Sequence, residues 1–167
     1  DNKIPVFELA SEIDCNVKVS ESIFTNNKAS SGSCILISDL TSSKSAKKII
    51  IHNNTFTENE NTGRSGVIKG ALYVNTAQAT FSGDNYFYNN YATYNGPETS
   101  DEYGAYGASI YIQQTLREAF TLEGLYFEGD STSHAGSSIF IYGIDSSGIN
   151  RGNDIKVYGC TFTNCKS

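Results

Sequence analysis

A recurring phenylalanine motif constrains the fold of this chain more than any other feature. Five segments share one pattern of alternating apolar residues, a small or polar turn and then Phe: VKVSESIFTNN, IIIHNNTFTEN, TFSGDNYFYNN, FTLEGLYFEGD and IKVYGCTFTNC. Their phenylalanines are separated by 32, 31, 40 and 35 residues. They are Phe24, Phe56, Phe87, Phe127 and Phe162. Self-similarity at such intervals is typical of solenoids, in which each repeat becomes stable by stacking on the next.

A second signal follows each of the first four phenylalanines, where small residues lead into a short apolar segment. It reads GSCILI from Gly32, KGALYV from Lys69, GASIYI from Gly107 and GSSIFI from Gly136. These segments alternate with period two, and no window keeps a 3.6-residue period, so strands are predicted. We therefore predict an all-β, right-handed parallel β-helix of about 4–5 coils. It forms a single domain over residues 1–167 with incomplete coils at both ends, and a β-sandwich is the alternative fold.

Stacked coils place equivalent residues above one another at about 4.8 Å, so repeated residues should form ladders. The five phenylalanines are expected to form a core ladder. A turn ladder is expected three residues after each of the first four phenylalanines, where side-chain amides can satisfy one another and the loop backbone. Its members are Asn27, Asn59, Asn90 and Asp130, and Cys165 occupies the fifth position.

Alternation also predicts which side chains of the second segment point away from the core. If Ile35 and Ile37 face inward, Leu36 faces outward, and the same holds for its equivalents in later repeats. This column consists of Leu36, Tyr73, Tyr111 and Phe140. Two interpretations stay open: a contact surface for sugar rings or another protein, or a column covered by a long loop.

The F-x-x-N element followed by a small-residue, apolar strand resembles the repeats of the chlamydial polymorphic membrane proteins and of related secreted or surface proteins of protists. The first motif stands intact as Phe24–Asn27, Phe56–Asn59 and Phe87–Asn90, whereas no G-G-A-I motif is intact. The resemblance covers nearly the whole chain from Val17 onward. It implies an extracellular β-helix used as a stalk, adhesin or surface coat, and it carries no catalytic residues across.

Composition and cysteine count favour a secreted or cell-surface protein. The net charge of −6 argues against a nucleic-acid partner. No apolar run is long enough to span a membrane. An even number of cysteines in a Ser-, Thr- and Asn-rich chain favours disulfides, with the pairing left open. The candidates are Cys15, Cys34, Cys160 and Cys165.

The sequence Asn53-Asn54-Thr55 is an N-x-T sequon in the turn before Phe56. Asn53 is therefore a glycosylation candidate if the chain passes through a eukaryotic secretory pathway. A glycan in this turn would be expected to project outward.

Catalysis is not predicted. A polysaccharide lyase or hydrolase would need clustered carboxylates as calcium ligands or as an acid/base pair. The carboxylates here do not recur at one coil position; they include Asp84, Asp101, Glu102, Asp130, Asp145 and Asp154. No cofactor and no metal site is predicted, because the two histidines, His52 and His134, stand in unrelated contexts.

The two ends of the repeat pattern carry the functional expectation. The segment IPVFEL near the start resembles a second-type strand, and no such strand follows Phe162. We expect a structural protein that assembles head to tail as a fibre or filament subunit, or that forms part of a longer surface stalk or adhesin. Cys15 and Cys165 could meet across such a junction. The alternatives are a carbohydrate-binding module that uses the Leu36 column and a polysaccharide lyase or hydrolase.

Overall fold

The structure is a computed structural model that describes residues 5–11, 16–30, 32–39, 48–64, 67–75, 78–97, 104–114, 120–143 and 155–167. The described residues form short β-strands joined by tight turns. We number the coils one to five, each by its phenylalanine from Phe24 to Phe162. The predicted all-β fold is confirmed.

The coils repeat one succession of strands, with a fifth strand in coils two and three and two described strands in coil five. Before the first coil lies β1 (Phe7–Ser11). Coil one contains β2 (Asn16–Ser20), β3 (Ile23–Thr25), β4 (Lys28–Ala29) and β5 (Ile35–Asp39). Coil two contains β6 (Lys48–His52), β7 (Thr55–Thr57), β8 (Glu60–Gly63), β9 (Val67–Lys69) and β10 (Leu72–Asn75). Coil three contains β11 (Gln78–Ser82), β12 (Asn85–Tyr88), β13 (Tyr91–Tyr94), β14 (Gly104–Tyr106) and β15 (Ile110–Gln114). Coil four contains β16 (Phe120–Glu123), β17 (Leu125–Glu128), β18 (Ser131–Thr132) and β19 (Ile139–Gly143), and coil five contains β20 (Ile155–Tyr158) and β21 (Thr161–Thr163).

Every strand pairs in parallel with its equivalents in neighbouring coils. Sheet A has the order β1-β5-β10-β15-β19, sheet B β2-β6-β11-β16-β20, and sheet C β3-β7-β12-β17-β21. Sheet D has the order β4-β8-β13-β18, and sheet E pairs β9 with β14. Pairing between coils, with the chain running through successive sheets, is the topology of a parallel β-helix. The sandwich alternative is wrong, since sandwich sheets are built from antiparallel strands.

The core lies between the sheets and consists of the inward-facing residue of each alternating pair. Phe24, Phe56, Phe87, Phe127 and Phe162 occupy one register position of sheet C. Their rings stack in sequence with centroid separations of 4.9, 4.7, 4.9 and 4.8 Å. These separations match the rise of one coil, so each ring covers the next and the stack excludes water.

Two rows of left-handed residues make the corners on either side of sheet C. Between sheets B and C they are Glu21, Asn53, Gly83, Gly124 and Gly159. Between sheets C and D they are Asn26, Glu58, Asn89, Gly129 and Asn164. All have φ between 51° and 69°, a region that Gly and Asn adopt more readily than other residues. Asn and Gly therefore recur here because one left-handed residue turns the chain sharply.

Close approach of adjacent coils explains the small residues before sheet A. A Cβ added to Gly70 would lie 1.8 Å from the carbonyl oxygen of Gly107. A Cβ added to Gly107 would lie 2.8 Å from the backbone nitrogen of Phe140. The small-residue motif is thus a packing requirement of the stack.

The left-handed corner at Glu58 gives a stability prediction. Gly129 occupies the equivalent position in coil four, so Glu58→Gly should relieve backbone strain and stabilise the fold by about 0.5–1 kcal/mol. The control Thr57→Gly lies next to it in β7, where the strand conformation favours Thr, and should destabilise. Urea unfolding followed by circular dichroism measures both. A loss of stability in Glu58→Gly would contradict this account of the corner.

Candidate functional site

The turn-ladder residues form a directional chain of hydrogen bonds through the interior. The backbone N–H of Asn27 donates to Oδ1 of Asn59 at 3.1 Å, and that of Asn59 donates to Oδ1 of Asn90 at 3.1 Å. The backbone N–H of Asn90 then donates to Oδ1 of Asp130 at 2.9 Å. Each asparagine Nδ2 donates to the same oxygen as its own backbone N–H. The side chain of each coil therefore satisfies the turn backbone of the coil before it.

A second ladder, which the sequence analysis missed, lies on the other side of the phenylalanine stack. The backbone N–H of Ser22 donates to Oδ1 of Asn54, and that of Asn54 donates to Oδ1 of Asn85, both at 3.0 Å. Leu125 and Cys160 occupy the next positions, so the asparagines end at coil three. The sequence signal for this ladder is an Asn two positions before the Phe, which extends the motif to N-x-F-x-x-N in coils two and three.

Asp130 is the one carboxylic acid in the turn ladder, and it is buried. Its Oδ1 accepts from Asn90, and its Oδ2 accepts from the Ser109 hydroxyl at 2.6 Å. Burial raises the pKa of the Asp130 carboxyl to about 7, although the hydrogen bonds from Ser109 and Asn90 oppose that rise. The carboxyl therefore exchanges its proton near neutral pH.

The column predicted as a contact surface is in register, but its middle is covered. Leu36, Tyr73, Tyr111 and Phe140 pair in sequence across sheet A. Tyr73 is 7% exposed and Tyr111 is 4% exposed, and burial raises the pKa of each to about 12. These two rings are not available to a sugar, so the contact-surface interpretation is wrong for them. The column is covered there, although the described cover comes from side chains of strands β9 and β14 and not from the long loop considered as the alternative.

Neighbouring side chains provide part of this cover. Nζ of Lys69, in β9, donates to the Tyr73 hydroxyl at 2.9 Å and lies 4.0 Å from the centroid of the Tyr73 ring. Tyr106, in β14, packs against Phe140 with a centroid separation of 4.7 Å. Leu36 and Phe140, at the ends of the column, are half-buried. Sheet E thus contributes side chains that close over the outer face of sheet A.

Accessible aromatic residues lie instead on the outer face of sheet C. Tyr86 and Tyr88 flank Phe87 in coil three, and Tyr126 is the register partner of Tyr86 in coil four. The Tyr86 and Tyr126 rings stack with a centroid separation of 4.9 Å, and Tyr86 lies 5.9 Å from Tyr88. All three are half-buried. These tyrosines could have been predicted from the sequence, because they lie directly beside the repeated Phe, and side chains next to an inward-facing strand residue point outward.

Three of the four cysteines are described, and each is free. Cys34 is buried beside Asn27, and burial raises the pKa of its thiol to about 12. Cys160 and Cys165 are half-buried in coil five, at the two ladder positions. The expected disulfides are therefore absent among these three residues. Cys15 lies outside the described residues.

The glycosylation candidate Asn53 is exposed at a left-handed corner. Its Oδ1 accepts from the backbone N–H of Asp84 at 3.0 Å. Nδ2, the atom to which a glycan would be attached, has no hydrogen-bond partner among the described residues. Coil-to-coil bonding through Oδ1 is thus compatible with a glycan on Nδ2.

The carboxylates considered for catalysis do not gather in the described structure. Asp84 is exposed at a corner, whereas Asp130 is buried in the turn ladder. The remaining candidates lie outside the described residues: Asp101, Glu102, Asp145 and Asp154. Within the described ranges, no group of three or more His, Cys, Asp or Glu side chains is placed to hold a metal ion.

The final coil presents core-type residues to solvent. Ile155, Val157 and Phe162 occupy inward register positions but are 42%, 50% and 51% exposed. Their partners one coil earlier include Leu122 and Phe127, which are 0% and 1% exposed. At the other end, Val17, Val19 and Phe24 are half-buried. Both end coils therefore leave one side of the core incompletely covered.

Comparison with known proteins adds no relative: no protein-family model, no curated protein and no solved structure matches the chain. The part of the chain that the structure describes contains no helix with the length and apolar character needed to cross a membrane.

The raised pKa of Asp130 predicts a pH-dependent stability. Between about pH 4 and pH 7 the unfolded chain loses this proton while the folded chain retains it, so stability falls as pH rises, by about 1.4 kcal/mol per pH unit at most. Asp130→Asn keeps an Oδ1 acceptor for Asn90 and removes the titration. Its stability relative to the parent chain should therefore rise by about 2–4 kcal/mol from pH 4 to pH 8.

Urea unfolding at several pH values measures this difference, and other titrating groups cancel between parent and variant. Glu128→Gln is the matched control, because Glu128 is exposed in the same coil and should show no such trend. A difference between parent and Asp130→Asn that stays constant from pH 4 to pH 8 would contradict the proposed protonation of Asp130.

Proposed function

We propose that this chain is a structural, extracellular β-helix whose end coils are covered by further coils. The further coils come from a second copy in a head-to-tail filament, or from neighbouring coils of a longer surface stalk or adhesin. The exposure of Ile155, Val157 and Phe162 carries this proposal. Their equivalents in earlier coils are core residues, so the partner that fits them is another coil.

The polarity of the ladders supports head-to-tail order. In each ladder, an N–H group of one coil donates to a side-chain oxygen of the next. Coil five offers the N–H groups of Cys160 and Cys165 at the corresponding positions. Coil one offers Oδ1 of Asn27, which accepts no hydrogen bond from a described residue, and the Ser22 hydroxyl. A junction between coil five and coil one of another copy would continue both ladders in the same direction.

The two end rings of the phenylalanine ladder support the same head-to-tail arrangement. Among the described residues, the ring of Phe162 stacks only on Phe127, and the ring of Phe24 stacks only on Phe56. Stacking Phe162 of one copy on Phe24 of the next would continue the phenylalanine ladder across the junction. Repetition of a contact between different ends generates an open filament.

An extracellular location is supported by the exposed sequon at Asn53 and by the resemblance of the F-x-x-N repeats to those of surface proteins. The three described cysteines, which are free, do not add to this support. Neither alternative function gains support from the described residues. The aromatic column assigned to carbohydrate binding is covered at Tyr73 and Tyr111, and the two described carboxylates of the catalytic set, Asp84 and Asp130, do not cluster.

Self-association of the isolated chain tests the filament. The parent chain should form linear assemblies that grow with concentration in sedimentation velocity and electron microscopy. Val157→Asp places a charge on the exposed core edge of coil five and should weaken assembly at least tenfold, because the junction would bury that charge. Ile50→Asp is the matched control, since Ile50 is 38% exposed on the outer face of sheet B in coil two, which is not an end coil.

The expected result is assembly of the parent chain and of Ile50→Asp, with monomers for Val157→Asp. Monomeric behaviour of the parent chain at all accessible concentrations would exclude the filament. Equal loss of assembly in both variants would show that the contact does not lie at the end coil.

A further inference from the structure

The outer face of sheet C carries an arrangement that the end-to-end proposal does not use. Tyr86, Tyr88 and Tyr126, here called the tyrosine ledge, lie on adjacent positions of coils three and four. The rings of Tyr86 and Tyr126 are 22° from parallel, and those of Tyr86 and Tyr88 are 11° from parallel. The three rings therefore share one orientation, and Tyr126 covers one face of Tyr86.

The opposite faces of Tyr86 and Tyr88 are turned toward coil two, where the neighbouring residues are small. The register partner of Tyr86 there is Thr55, and the partner of Tyr88 is Thr57. A threonine is too short to cover a tyrosine ring. The surface thus steps down from two ring faces to two threonine side chains.

The charge around this step is negative. Burial and, after it, the charge of Asp84 raise the pKa of the Tyr86 hydroxyl. Glu58 follows Thr57, and Glu128 is the register partner of Tyr88. All three carboxylates are exposed, and none forms an ion pair with a described residue. The strands of sheet C and their flanking corners, residues 21–27, 53–59, 83–90, 124–130 and 159–165, contain no Lys or Arg.

We propose that the tyrosine ledge is a docking surface for a lysine-rich segment of a partner protein. An ammonium group over the open faces of Tyr86 and Tyr88 would be attracted by the rings and by Asp84 and Glu58. The lysine stem would lie along the ring surface while its charge stays near the carboxylates. Sheet C continues on both sides of the ledge, with threonines at Thr55 and Thr57 in coil two and at Thr161 and Thr163 in coil five, so an extended segment could follow the sheet.

This chain already contains the same contact inside its own fold. Nζ of Lys69 lies 4.0 Å from the centroid of the Tyr73 ring and 5.5 Å from that of Tyr111. That pair of tyrosines comes from two adjacent coils, as Tyr86 and Tyr126 do. The Lys69 contact occupies the covered outer face of sheet A, whereas the ledge on sheet C is open.

A lysine decapeptide is the probe, and its binding is followed by calorimetry at low and physiological salt. Tyr86→Ala should weaken binding at least fivefold, and Tyr86→Phe, which keeps the ring, should bind like the parent chain. Asp84→Asn should weaken binding about threefold. The matched control is Glu21→Gln, which removes an exposed carboxylate from the same face, two coils from the ledge.

The proposal predicts that the parent chain, Tyr86→Phe and Glu21→Gln bind alike, that Tyr86→Ala and Asp84→Asn bind weakly, and that added salt weakens all binding. If Glu21→Gln and Asp84→Asn weakened binding equally, the peptide would respond only to the net charge of the protein, and the proposed docking surface would be overturned. Retained binding in Tyr86→Ala would also overturn it. So would preference for a neutral oligosaccharide such as a glucose hexamer over the peptide.

Discussion

The structure depends on one constraint. Coils stack at a spacing of about 4.8 Å, and each coil must supply the hydrogen-bond acceptors that the turn N–H groups of its neighbour need. The turns around sheet C are too tight to satisfy all their own N–H groups, and their ladder residues Asn59 and Asn90 are buried. The asparagine of the following coil supplies the missing acceptor: Oδ1 of Asn59 accepts from the N–H of Asn27, and Oδ1 of Asn90 accepts from the N–H of Asn59. Because an unsatisfied buried N–H costs about 1–3 kcal/mol, the ladder couples each coil to the next.

The parts of this fold that follow from repetition could be predicted from sequence. Phe and Asn recur at a fixed offset, so their stacking follows once parallel coils are assumed. The Asn54 ladder could also have been predicted, but its signal covers only coils two and three. The cover over the column from Leu36 to Phe140 could not be predicted, because it depends on Lys69 over Tyr73 and on Tyr106 against Phe140, which belong to sheet E and follow no clear repeat. The period-two alternation of the strand predicts that Tyr73 points outward, but it does not predict which side chains cover the ring.

The molecule has two kinds of surface, one at the ends of the coil stack and one along its side. At the ends, residues with a core role lose their cover because no further described coil stacks on them. On the side, the size of the neighbouring side chain decides exposure: threonines beside Tyr86 and Tyr88 leave their rings open, whereas Lys69 closes over Tyr73. A coil stack can therefore extend through its ends while it binds a partner along its side, and the two contacts use different residues.

Hydrogen exchange of individual backbone amides, followed by NMR, tests most directly whether ladder side chains hold the coils together. The account predicts that the amides of Asn27, Asn59 and Asn90 exchange about as slowly as those of strands β7 and β12, since they donate to side-chain oxygens of the next coil. Exchange of these three amides at the rate of exposed turns would contradict it.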